Sequence, residues 1–236
     1  MAAAATLAAW VGSVAGTGGT TILLPVLVPL LGVKDALPVL TICNFTANAS
    51  RAWINRREID TTVVVWFLVA GVPCTLLGAY LFTRSSPEVL LKLLGALLIA
   101  LILWRHVGKR FTKREWHIRH PRTFAPVGGA FGFLYGFTEG VGALMAPFFL
   151  AYGLVRGAYI GTDALGTMVL QGTKLAVFGQ FDVLHGKVLL LGLTLAPFMV
   201  LGSWVGKRTM QHVPATWFTR IVEVTVLVSG VSFLLA

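Results

Sequence analysis

Charge is what this chain has least of. Of its 236 residues only 12% are Asp, Glu, Lys or Arg, and only 9 are acidic. A soluble domain carries roughly 25% charged residues. With 56% hydrophobic residues and a mean hydropathy of +0.82, the chain cannot cover a soluble surface with polar groups. A soluble enzyme and a disordered chain are excluded. Cysteine is also scarce: Cys43 and Cys74 lie in apolar stretches and form no CxxC pair. That excludes a disulfide-stapled secreted module, and both thiols read as small core hydrophobes. No HExxH, CxxC or Walker loop occurs, and no Ser-His or Asp pair suggests intramembrane hydrolysis. The chain is not expected to be an enzyme or to hold a cofactor or metal. Strict apolar-polar alternation is missing too, which excludes a membrane β-barrel.

What is present is a series of long apolar segments. The expected fold class is an all-α polytopic membrane protein of about eight membrane helices. Met1 to Val33 carries no charge, but Gly16-Thr17-Gly18-Gly19 interrupts it. The pieces on either side are too short to span about 30 Å of hydrocarbon, so they form a broken helix or a re-entrant hairpin. The start has no basic region and no cleavage site, and reads as the first membrane helix. Asp35 to Ser50 follows, then a charged loop from Arg51 to Asp60, and spans at Thr61–Thr83 and Pro87–Trp104. After a central loop the pattern restarts. Phe124–Phe137 is broken by Thr138-Glu139-Gly140-Val141-Gly142, and Ala143–Val155 continues it. Spans are expected at Ala158–Phe178, Val188–Gly206 and Trp217–Ala236.

The net charge of +10 is concentrated. Arg105, Lys109, Arg110, Lys113, Arg114, Arg119 and Arg122 face one acid, Glu115. Between greasy segments this marks a cytoplasmic loop by the positive-inside rule, not a nucleic-acid site. His106, His117 and His120 in it read as solvated side chains.

The chain repeats itself. Pro25 and Pro147, Ala36 and Ala158, and Asp60 and Asp182 are each 122 residues apart; Pro73 and Pro197, and Gly78 and Gly202, are each 124 apart. The expected organisation is a first membrane repeat over 1–104, the basic loop over 105–122 and a second repeat over 123–236. The basic loops fall at non-equivalent places in the two halves, which favours inverted repeats, each opening with a glycine-broken or re-entrant pair.

The breaks are the candidate site. Broken helices free backbone N–H groups, which in a membrane must line protein or a wet cavity. Helices starting at Thr20 and Ala143 would point their positive ends at a small anion. The other reading of these glycines is close helix packing. Buried polar residues join them: Asn44, Thr46 and Asn48 in one repeat, Asp163, Thr167, Gln171 and Thr173 in the other, spaced to share helix faces. Interhelical hydrogen bonding is the alternative for each. Glu139 at the second break is either a proton carrier or a cap of the broken helix. Lys174 and Arg51 read as snorkelling side chains. Arg220 and Glu223 read as a structural ion pair.

The string Gly12-x-x-x-Gly16-Thr17-Gly18-Gly19, then Pro25, then Gly32-Val33-Lys34-Asp35-Ala36, resembles the N-terminal signature of the TauE/SafE sulfite exporter family. That signature is G-x-x-x-G-x-G-G-G, an apolar run with Pro, a Gly-Leu turn and Ala-x-x-Thr. Gly132 to Pro147 followed by Gly161-Thr162 resembles it again. The resemblance implies a transporter of small sulfur anions, such as sulfite or organosulfonates, often exported. It implies that Gly16, Gly18, Gly19, Gly140 and Gly142 shape the site, with Thr162 as the family's Thr. The chain departs from the pattern in its first break, which reads Gly16-Thr17-Gly18-Gly19 rather than a full glycine run, and in its second, which has Glu139 and Val141 among its glycines. The substrate-binding set expected is Gly16, Thr17, Gly18, Gly19, Thr20, Asn44, Asn48, Glu139, Gly140, Gly142, Thr162, Asp163, Thr167 and Gln171. The expected partners are a sulfur anion, the bilayer of a bacterial inner membrane, a coupling proton or ion, and a second copy in a homodimer. A passive channel or a scaffold is the competing function.

Overall fold

The computed structural model describes residues 20–96, 99–100, 118–139 and 141–209. Every regular element among them is helical. In chain order they are α1 (Thr20–Leu31), α2 (Val33–Ile54), α3 (Thr61–Arg84), α4 (87–96), α5 (Phe124–Phe137), α6 (Ala146–Tyr152), α7 (Arg156–Gln180) and α8 (Gly186–Thr209). The first glycine break, most of the basic loop, and Arg220 and Glu223 lie outside the described residues.

Local chemistry sets several boundaries. Gly32 separates α1 from α2 at φ 79°, a backbone region that favours glycine. Asp60 opens α3 by accepting the Val63 amide at 3.1 Å. At the other end of α3, Lys34 Nζ donates to the Thr83 carbonyl at 3.2 Å, meeting an orphan acceptor with a cation. Gly153, at φ 98°, ends α6.

Helix directions follow from their contacts. Phe67 of α3 meets Gly128 of α5, Gly71 meets Gly132, and Thr75 and Gly78 meet Gly136, so α3 and α5 run parallel. The approach is backbone to backbone. A Cβ on Gly128, Gly132 or Gly136 would fall on the carbonyl of Phe67, Gly71 or Thr75 respectively. Thr75 Oγ1 adds a 2.9 Å bond to the Gly132 carbonyl. This is the small-residue packing that membrane helices use. Phe67 also meets Gly166, and Gly71 meets Leu170, so α7 is parallel to α3 as well.

The second break is a hairpin. α5 has 14 residues and rises about 21 Å. After the turn the chain comes back as a 3₁₀ turn (Val141–Leu144) and the seven-residue α6. The return is complete: the Ile118 amide donates to the Ala151 carbonyl at 2.9 Å, and Phe124 stacks on Phe149 with ring centroids 5.2 Å apart. The helix expected to start at Ala143 therefore starts at Ala146, because the tight turn is first taken up in 3₁₀ geometry. With seven residues behind it, α6 offers no strong dipole end to an anion.

The bundle is apolar outside. Val65, Val69, Leu77, Leu190 and Leu193 on α3 and α8 are all more than half exposed. Among the described residues, α3 alone is both long and apolar enough to cross a membrane by length and composition. α2 and α7 have 22 and 25 residues, enough length to cross, but they carry the polar groups described next.

Candidate functional site

Two polar stripes face each other inside the bundle. On α2, Thr41, Asn44, Asn48 and Arg51 recur at spacings of three and four. On α7, Asp163, Thr167, Gln171 and Lys174 do the same. Such spacing places each set on one helix face. The helices pack antiparallel, so Thr41 lies level with Lys174, Asn44 with Gln171, and Arg51 near Asp163. Thr41, Asn44, Asn48, Thr167, Gln171 and Lys174 are all buried.

The hairpin tip closes one end of this seam. Glu139 reaches between the two helices and is 1% exposed. Its Oε1 accepts from Thr41 Oγ1 at 2.8 Å and from Lys174 Nζ at 3.0 Å. Its Oε2 accepts from Asn44 Nδ2 at 2.8 Å and from Gln171 Nε2 at 3.1 Å. The Thr41 proton is shared with the Leu37 carbonyl, also at 2.8 Å. Lys174 donates besides to the Thr138 carbonyl at 2.8 Å, one of the orphan acceptors at the end of α5. A buried carboxylate needs this many partners to offset its lost hydration. Lys174 is thus no snorkelling side chain. It is fully buried, and the reason is its ion pair with Glu139.

The other end of the seam is less complete. Arg51 Nε, Asp163 Oδ1, Thr167 Oγ1 and Gln171 Oε1 are buried atoms with no hydrogen-bond partner among the described residues. Asp163 interacts electrostatically with Arg51, Tyr135 and Tyr159. The Thr167 hydroxyl approaches both Asp163 and Tyr135 without closing a bond to either. Tyr135 connects this end to the hairpin, because its hydroxyl lies 2.9 Å from where a Cβ on Gly142 would sit.

The structure thus brings Asn44, Asn48, Glu139, Asp163, Thr167 and Gln171 into one seam, with Gly142 beside it. Thr162 stands apart: its hydroxyl accepts the Asp60 amide at 3.0 Å and pins the α2–α3 loop to α7. Gly16, Thr17, Gly18, Gly19 and Gly140 lie outside the described residues, and the side chain of Thr20 is likewise undescribed. Thr46 and Thr173 donate to carbonyls one turn back, Ile42 and Val169, and leave the seam. The additions to the expected set are Thr41, Arg51, Lys174 and Tyr135. The three- and four-residue spacing of the first three carried the signal. Tyr135 carried none, since its position depends on the hairpin. Among the described residues no group of three or more His, Cys, Asp or Glu could hold a metal ion.

Neither the curated proteins nor the solved structures yielded a match to this chain. The family model described as "Sulfite exporter TauE/SafE" matches residues 1–233. A chain of buried polar seams and apolar exterior, matched over nearly its whole length, belongs to the sulfite exporter TauE/SafE family of membrane transporters.

Proposed function

We propose that the chain is a secondary transporter, an exporter, of small sulfur anions such as sulfite or organosulfonates, working by alternating access in a bacterial inner membrane. The observation that carries the reading is the seam itself. In a bundle that is apolar outside, two facing stripes of polar and charged side chains are buried along α2 and α7 and meet a hairpin tip. Intramembrane ionisable residues are expensive and mark substrate or ion paths. The substrate would lie in the seam toward Arg51, where a guanidinium N–H, the Thr167 hydroxyl and Asn48 are at hand.

The two halves, 1–104 and 123–236, would be inverted repeats joined by a cytoplasmic basic loop. Support comes from α2 and α7. They correspond through the 122-residue offset of Ala36 and Ala158, yet run antiparallel. Their neighbours correspond too: Ile42 of α2 meets Gly192 of α8, as Gly166 of α7 meets Phe67 of α3. An axis lying across the helices relates such a pair, as in transporters built from inverted halves.

The test is flux in liposomes reconstituted with the purified protein, using sulfite, sulfate, thiosulfate, sulfoacetate and chloride. Saturable flux of a sulfur anion is expected, and Arg51→Gln should cut it at least about tenfold, the scale of one lost charged hydrogen bond. Non-saturating current would make the protein a channel. No flux of any anion would leave a scaffold.

A further inference from the structure

The two carboxylates of the seam differ in one respect. Both oxygens of Glu139 are filled by donors from Thr41, Lys174, Asn44 and Gln171. An added proton on Oε2 would confront amide NH₂ groups, and one on Oε1 could pass only to the Thr41 hydroxyl and would cost the Lys174 ammonium its carboxylate. Asp163 is the opposite case. Its Oδ1 is buried and has no donor among the described residues. One and two turns further along α7 stand two more unfilled atoms, Thr167 Oγ1 and Gln171 Oε1, on positions that are 4% and 1% exposed, and across the seam one unfilled donor, Arg51 Nε.

Taking the anion-carrier reading as its basis, we infer that Asp163 is the group that takes up a proton together with each anion, and that Arg51 is the anion's counter-charge. With Asp163 ionised, the carboxylate already balances the guanidinium, so an arriving anion meets a neutral site. A proton from the adjoining aqueous compartment, bonded to Oδ1, turns the carboxylate into a neutral donor. Arg51 is then free to hold one negative charge. The pair carries a monoanion plus one proton, and the seam stays neutral. A dianion would leave one charge unmatched in a low-dielectric interior. The site therefore selects monoanions, such as sulfonates and hydrogensulfite, over sulfate.

The groups facing Asp163 are few. Arg51 comes from α2, Tyr135 from α5 and Tyr159 from its own helix. α3 presents Phe67 and Gly71 to α7, and its Asp60 is turned into its own helix start by the bond to the Val63 amide. Glu139 is engaged with Lys174.

The experiment uses the full-length protein in liposomes with pyranine inside, and methanesulfonate as probe. This anion carries no proton of its own at any working pH, so proton uptake reports the protein. Sulfite is run in parallel. In the wild type, one proton should enter with each anion. A one-unit pH gradient should accumulate the anion about tenfold on the alkaline side, the equivalent of one pH unit. Asp163→Asn imitates the protonated side chain, so the anion exchange that remains in it, slowed or not, should carry no proton and show no gradient-driven accumulation. Wild-type anion flux without proton uptake overturns the inference, whatever the variant does. So does Asp163→Asn protein that keeps coupling, or that is folded but dead in exchange. Coupling lost in Glu139→Gln and kept in Asp163→Asn would move the role to Glu139. Absence of saturable flux of either anion in the wild type would instead overturn the carrier reading beneath it.

Discussion

Lys174 donates to Glu139 at 3.0 Å, and neither side chain is exposed. The contact joins α7 to the tip of a hairpin 35 residues earlier, and through the same carboxylate to Thr41 and Asn44 on α2. Three separate stretches of chain are fixed by one acidic side chain.

Removing the cation alone should therefore be severe. Lys174→Met leaves a buried carboxylate with no opposite charge, a change that costs about 3–5 kcal/mol. Adding Glu139→Gln should restore much of the loss, because the remaining groups are neutral hydrogen-bonding partners. Thermal unfolding in detergent, read across the double-mutant cycle, measures both. Additive losses would show that the two residues do not act as a pair.

Adjacent glycines of α5 should respond in opposite ways. Gly128→Ala drives a methyl group into the Phe67 carbonyl, and Gly132→Ala does the same at Gly71. Gly129→Ala has room, since its Cβ would lie 3.4 Å from the Ala70 side chain. The first two variants should lose most of the monodisperse protein on size-exclusion chromatography, and the third should match the parent.

These glycines also mark how far the sequence could be read. The bounds of α3 and α5 were legible because charge stops and caps are local: Thr61–Thr83 was expected against Thr61–Arg84, and Phe124–Phe137 is as expected. The stripe spacing on α2 and α7 was legible for the same reason. What no local pattern contains is the pairing. Lys174 looked like a snorkelling residue because its partner, Glu139, arrives only after the hairpin folds back. Thr41 is, by sequence alone, one more small polar residue of an apolar helix, and only the fold brings its hydroxyl to the same carboxylate. The α6 start was misjudged by three residues, since a 3₁₀ turn and an α-helix draw on the same residue types.

Sidedness gives a direct check on the bundle. α3 and α7 run parallel, so Ser85 and Asp182 lie at one end, and Arg57 and Val155 at the other. Single cysteines at Ser85 and Asp182 should react with an impermeant thiol reagent from one side of the membrane, and those at Arg57 and Val155 from the opposite side. The background must first lose Cys43 and Cys74. Ser85 and Asp182 labelled from opposite sides would break the inverted arrangement.

Thr162→Val tests a smaller contact. It removes the hydroxyl that accepts the Asp60 amide at 3.0 Å and leaves that amide unmatched. The expected cost is about 1–3 kcal/mol, seen as a lower unfolding temperature with anion flux preserved. Flux that falls while stability holds would return Thr162 to the binding set.

The glycine seam between α3 and α5 has a mechanical meaning. Carbonyls there rest in hollows that only a missing side chain leaves, at successive turns from Gly128 to Gly136. A toothed contact of this kind resists sliding, because each step along the axis would drive a carbonyl into the next Cα. It does permit a small roll about its own line. α3 precedes the basic loop and α5 follows it, so the two parts of the chain are geared together by this rack, and the alternating access proposed above would have to proceed as a rotation around it.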